Sequence, residues 1–270
     1  MITAVWLPPL VKALATALIV VCASVVAEAL GPFWGALIAS LPVSAGPAYV
    51  FLAMQHGTDF VAASALGSCA ANAVTGLFLI AYGALARKTS PWRGLAAAVS
   101  VWLAAGLAAQ KVTWTPTSAL LLNLIVYGAG FALLGAISNS GPEAARPVQR
   151  RWFDIPVRAI AVATFVSVIV GVSTILGPKA TGIAAVFPVS LISLIVIVRP
   201  RLGGPASALL AANALRPMLG FGVMLLALHL TVRPWGSAAS LSLAMAISAL
   251  WSGALLLLRV RGDQSAVAKG

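Results

Sequence analysis

Apolar residues run along this chain in long blocks separated by short polar punctuation. The blocks are too long for strands or for ordinary amphipathic surface helices. A helix needs about 20 predominantly apolar residues to cross the hydrocarbon of a bilayer. Nine segments meet that length: Pro8 to Leu30, Phe33 to Gln55, Asp59 to Ala86, Arg93 to Gln110, Thr117 to Ser138, Pro156 to Leu176, Ala180 to Val198, Pro205 to Thr231 and Trp235 to Leu258. The pattern therefore predicts an all-α polytopic membrane protein with about nine transmembrane helices. Ala27-Glu28-Ala29 has the small-x-small form of a signal-peptide cleavage site. The segment before it lacks a basic start and has an internal counterpart described below, so it reads as a mature helix.

Composition supports the same class. Hydrophobic residues make up 61 % of the chain and charged residues 8 %, against about 25 % charged in soluble domains. The net charge of +12 would suggest nucleic acid in a soluble protein. Here the basic residues sit between apolar blocks with no aromatic-interleaved stripe, which excludes nucleic acid as the partner. Cys22 and Cys69 both lie inside apolar blocks, so no disulfide framework is indicated.

Charge placement sets the expected orientation. With nine crossings, one side holds Arg87, Lys88, Arg93, Arg146, Arg150, Arg151, Arg158, Arg199, Arg201, Arg259, Arg261 and Lys269. The other holds Lys12, Lys111, Lys179 and Arg233. Twelve against four satisfies the positive-inside rule. It predicts a bacterial cytoplasmic (inner) membrane, with the N-terminus outside and the C-terminus in the cytoplasm. Making Phe33 to Gln55 and Ala180 to Val198 re-entrant would weaken that bias, so full crossings are preferred.

The halves of the chain repeat. Val11-Lys12-Ala13 matches Val157-Arg158-Ala159, Leu30-Gly31-Pro32 matches Leu176-Gly177-Pro178, and Pro42-Val43-Ser44 matches Pro188-Val189-Ser190. Further on, Ala70-Ala71-Asn72 matches Ala211-Ala212-Asn213 and Pro91-Trp92 matches Pro234-Trp235. Chance similarity explains shared alanines but not Leu-Gly-Pro, Pro-Val-Ser and Pro-Trp in one order. The expected organisation is a first four-helix repeat over residues 1–111. A linking helix and the start of a cytoplasmic linker follow over 112–145, and a second four-helix repeat over 146–270. Five crossings separate equivalent points, an odd number, so the two repeats have inverted topology. That plan resembles secondary carriers built from inverted repeats, whose sites lie near the midplane at interrupted helices.

The candidate chemistry follows from the repeat. Pro32 and Pro178 open the second and seventh helices, where a missing N–H costs nothing. Pro42 and Pro188 fall about ten residues further in, roughly 15 Å along the axis, and are expected to break or kink both helices. Ser40, Ser44 and Ser190 stand beside the breaks as candidate donors to a solute or to freed carbonyls. Arg216 is the one basic residue well inside a predicted span, and a buried arginine in lipid requires a partner or an aqueous cavity. It is the candidate anion ligand. Asn72 and Asn213, equivalent in the repeat, are candidates to line the same site or simply to bond neighbouring helices. Glu28 is a candidate coupling group, or an interface charge. Asn123 and Gln110 carry no distinct signal. His56, Asp59 and His229 are too few and too separated for a metal centre. No phosphate loop, His-Glu-x-x-His zinc motif or Gly-x-Ser-x-Gly elbow is present.

The expectation is a secondary active transporter or exporter of a small anionic solute, without catalytic activity, metal or cofactor. Membrane lipid and the solute are its expected partners, with self-association into a homo-oligomer allowed. Two other readings are a lipid-phosphate-handling translocase or intramembrane enzyme, and a membrane subunit of a larger transport assembly. The acidic loop motif of undecaprenyl-diphosphate phosphatases, proteins of similar length and duplication, is missing.

Overall fold

A computed structural model describes residues 11, 14–18, 21, 22, 45–138 and 154–267, and every structural statement below concerns these residues. They are helical throughout apart from short turns, with no strand among them. The elements are α1 (Ala45–Gln55), α2 (Thr58–Leu85), α3 (Pro91–Lys111), α4 (Pro116–Ser138), α5 (Asp154–Gly171), α6 (Ser173–Ala185) and α7 (Val189–Val267). The first expected span and most of the second lie outside the described residues.

Local sequence explains the helix ends. Asp59 in the first turn of α2 complements the helix dipole, as Lys111 does in the last turn of α3. Pro91 opens α3, where its fixed φ suits the first turn. Thr115 and Ser118 cap the start of α4 reciprocally: Thr115 N donates to Ser118 Oγ at 2.9 Å and Ser118 N to Thr115 Oγ1 at 3.1 Å. α7 is not one rod. Gly203 (φ 78, ψ −170) and Gly236 (φ 76, ψ 170) take the left-handed φ that other residues avoid, and divide it into stretches 189–202, 204–235 and 237–267. The expected boundary at Thr231 to Trp235 thus falls at Gly236, because the helix absorbs Pro234 and turns only where glycine permits.

Six helices are long and apolar enough to cross a membrane. Their outward faces carry Leu124, Ile125 and Leu133 on α4, Val157 and Ile160 on α5, and Leu250 and Leu258 on α7, all exposed. Water would not tolerate such a surface; lipid does, and the chain is an integral membrane protein on this ground. The last candidate span, Arg199–Leu258, has 60 residues, or about 90 Å of helix. It folds back on itself at Gly236, so that Trp251 Nε1 reaches Arg216 O at 3.0 Å.

Side-chain contacts sort the loops to two ends. At one end Arg199 Nη2 donates to Thr89 O at 2.7 Å, and Arg201 grips Asp154 through Nη1–Oδ2 at 2.6 Å and Nη2–Oδ1 at 2.7 Å. This end also carries Arg87 and Lys88, in the turn that holds Thr89. At the other end His56 Nε2 is hydrogen-bonded to Ser173 Oγ at 2.8 Å, Lys179 Nζ donates to Val112 O at 3.3 Å, and Arg233 Nε pairs with Asp59 Oδ1 at 2.7 Å. The basic residues within these contacts divide between the ends as the charge pattern predicts. The run from Pro178 to Arg201 starts beside Val112 at one end and finishes beside Asp154 at the other. It therefore traverses the bundle rather than looping back.

α2 is the core helix. Small residues line its surface, including Ala62, Ala65, Ala70, Ala71 and Ala73, all fully buried, and they let neighbours approach closely. α6 comes nearest: a Cβ on Gly67 would lie 2.8 Å from Lys179 O, and one on Gly182 would collide with the Ser64 backbone. The 204–235 stretch of α7 packs antiparallel on α2, with Met218 O beside Asn72 and His229 Nδ1 at 2.8 Å from Ala62 O.

Candidate functional site

Ser64, Ser68, Asn72 and Thr75 recur along α2 at helical spacing, and all four are buried. In lipid such groups must find partners inside the protein. Ser64 Oγ donates to Pro178 O at 2.9 Å and Ser68 Oγ to Gly182 O at 2.6 Å, while Tyr49 OH donates to Ser68 Oγ at 2.7 Å. Near the middle of the helix Asn72 Nδ2 donates to Met218 O and to Asn123 Oδ1, both at 2.9 Å. Asn123 Nδ2 donates to Cys69 O at 2.7 Å and Ala119 O at 2.8 Å, and Tyr127 OH donates to Asn72 O at 2.9 Å. α2, α4 and α7 are thus pinned together at mid-depth by one amide network.

Thr75 leads from this network to a broken helix. α6 ends at Ala185, and Val186, Phe187 and Pro188 leave the helical path before α7 begins at Val189. Pro188 causes the break: it has no N–H to offer and would clash with the carbonyl four residues back. The freed groups are met locally. Phe187 N donates to Ala184 O at 2.9 Å, and the Thr75 hydroxyl lies 3.3 Å from Val186 O. Trp102 Nε1 donates to Thr75 Oγ1 at 3.1 Å, and the Trp102 ring meets Phe187 edge-on with centroids 4.9 Å apart. Phe165 flanks Phe187 at 5.9 Å. The break therefore lies three residues from the level of Asn72, walled by aromatic rings. The first turn of α7 presents backbone N–H groups there, at the positive end of a helix dipole.

The sequence-derived candidates fall in three places. Pro178, Pro188 and Ser190 belong to the broken element. Pro178 follows Gly177 (φ 72, ψ 170), where the helical path is interrupted, and starts the short stretch that ends at Ala185. Ser190 sits in the first turn after the break with its hydroxyl buried and unpartnered among the described residues. Asn72 belongs to the amide network. Arg216 and Asn213 are exposed instead. At 3.6 residues per turn they lie about 200° and 140° round the helix from Met218, which faces α2. The two asparagines therefore do not line one site: Asn72 points into the core and Asn213 away from it. Arg216 and Asn213, three residues apart, share a face instead. Arg216 lies within one helical turn of the Asn72 level. Glu28, Pro32, Ser40, Pro42 and Ser44 lie outside the described residues.

Sequence reasoning passed over Asn123, Tyr127, Trp102 and Thr75. A usable signal existed for Asn123, a lone amide in the run Leu120-Leu121-Leu122-Asn123-Leu124-Ile125-Val126. Among the described residues no three His, Cys, Asp or Glu side chains gather as a metal site. No family model, curated protein or solved structure matches the chain.

Proposed function

We propose that this chain is a secondary carrier for a small anionic solute, working by alternating access between two inverted repeats. The observation that carries the reading is the break at Val186–Pro188, an interruption inside an apolar traverse at mid-depth. Soluble-protein helices break freely, but backbone in lipid does so only against protein or an aqueous cavity. Carriers use such breaks to aim helix termini at a solute. In the proposed arrangement of nine crossings, repeats over 1–111 and 146–270 flank the linking helix. The N-terminus is outside and the C-terminus in the cytoplasm of a bacterial inner membrane.

Three further features support the reading. α2 and its sequence counterpart, the 204–235 stretch, run in opposite directions, as inversion demands. Arg216 is the counterpart of Thr75, a position that faces a broken helix in the other copy. Arg216, with Asn213 on its face, supplies positive charge at mid-depth for charge-assisted bonds to an anion. Ser190 and the α7 N-terminus supply neutral donors at the break itself, apart from the Arg216 face. Uptake of labelled small organic anions into proteoliposomes tests the assignment. Arg216→Ala should lower solute affinity at least ~10-fold, the effect of about 1.4 kcal/mol, with the folded yield kept. Unchanged uptake and binding would remove Arg216 from the site.

A second reading, handling of a phosphorylated lipid, is favoured by the exposure of Arg216 and Asn213. A lateral arginine suits a headgroup that enters from the bilayer. Flip of a fluorescent anionic phospholipid in the same vesicles, lost in Arg216→Ala while soluble anions stay outside, would establish it instead.

A further inference from the structure

We infer that residues 189–202 form the moving element of the carrier, and that Arg199 and Arg201 latch it shut at the arginine-rich end. The inference rests on the carrier reading but is drawn from different contacts. The unwound Val186–Pro188 bounds the element on one side and the positive-φ Gly203 (φ 78) on the other, so a pivot is available at each end. Residues 178–185 stay anchored on α2, through Ser64 Oγ to Pro178 O at 2.9 Å and Ser68 Oγ to Gly182 O at 2.6 Å.

The ion pairs at the two ends of the bundle differ in burial. At the arginine-rich end Asp154 and Arg201 are 7 % and 19 % exposed, and their bidentate pair ties the 189–202 stretch to α5. Arg199, 9 % exposed, ties the same stretch to the α2–α3 turn through Thr89 O. At the opposite end the pair Arg233–Asp59 is 56 % and 86 % exposed, and weak for that reason. The 189–202 stretch is therefore held closed against α5 and the α2–α3 turn at the arginine-rich end.

The latch is also poised to open. Arg199 Nη1 is buried without a hydrogen-bond partner among the described residues. It lies against Gly204, where a Cβ would collide with it. A buried unsatisfied guanidinium donor is costly, and opening would hydrate it. The closed state thus holds one strong bidentate pair and one half-satisfied arginine.

Hydrogen–deuterium exchange on the full chain in lipid nanodiscs tests this. In Asp154→Asn, amides of residues 186–192 and 199–204 should exchange about tenfold faster through local opening, while those of α2 stay protected. Arg201→Lys, which keeps charge but loses the fork, should give a smaller rise in the same segments. The exchanged pair Asp154→Arg with Arg201→Asp should restore the slow rate. Unchanged exchange at 186–192 in both single variants would overturn the latch. So would a rise spread evenly over all helices, or a charge exchange that restores nothing. Failure of the carrier reading is separate: localised opening in vesicles that move no solute would leave the latch standing and remove the transport.

Discussion

Asn123 shows how a single polar residue is used in a protein whose solvent is lipid. Its amide donates to Cys69 O on α2 and to Ala119 O on its own helix, and accepts from Asn72 of α2. Interhelical hydrogen bonds in membranes average about 0.6 kcal/mol and reach about 1.7. Asn123→Ala removes the acceptor for Asn72 and the cross-helix donor to Cys69 O, so the expected loss is about 1–2 kcal/mol. Thermal unfolding in detergent should fall by several degrees. Gln110→Ala, a half-buried position at the end of α3, should leave the midpoint nearly unchanged. Equal midpoints for the two variants would remove the amide network from the account of stability. Asn72 and Asn213 make the complementary point. Their matching Ala-Ala-Asn setting was legible, but burial of one and exposure of the other depends on which face each helix turns to its neighbours.

At the scale of the element, proline and glycine account for most of the irregularity. Pro188 breaks a traverse, whereas Pro217 and Pro234 remain inside the 204–235 stretch. The difference lies in what surrounds them. Around Pro188 the freed carbonyl of Val186 finds Thr75, and Phe187 finds Trp102 and Phe165. Pro188→Ala returns the missing N–H and lifts the clash, so helix should extend toward residue 186. The expected result is solute movement lost or strongly reduced, with protection of the 186–189 amides increased in hydrogen exchange. Unaltered protection there would mean that the aromatic wall, not the proline, holds the break open. The place of Pro188 inside an apolar run predicted where the break falls. It did not predict the partners that make the break tolerable in lipid, since these come from α2, α3 and α5.

At the scale of the molecule, the pairing of loops to ends is the testable feature. Single cysteines at Lys88 and at Thr113, in a background without the natural thiols, should react with an impermeant reagent from opposite sides of the membrane. The positive-inside rule assigns Lys88 to the cytoplasm. Labelling of both from one side would overturn the traverse order of α3. The charge pattern already separated these positions. The structure adds that the separation is enforced by named pairs, Arg201–Asp154 and Arg199–Thr89 at one end and His56–Ser173 at the other.

The sequence by itself determined the class of solvent, the helical content, the sorting of basic residues between two ends and the positions of Pro178 and Pro188. Each of these follows from local composition or from hydration energy per residue, which needs no knowledge of neighbours. Tertiary structure alone decided that α2 is the core helix, that Asn123 and Tyr127 join Asn72, that Arg216 turns outward, and that Arg199 and Arg201 tie the broken traverse to Thr89 and Asp154. Those outcomes depend on helix rotation and on contacts across more than 50 residues of chain, such as Ser68 to Gly182. In lipid, apolar pattern marks where a helix lies but says little about which face turns inward, because the bilayer is as apolar as the core.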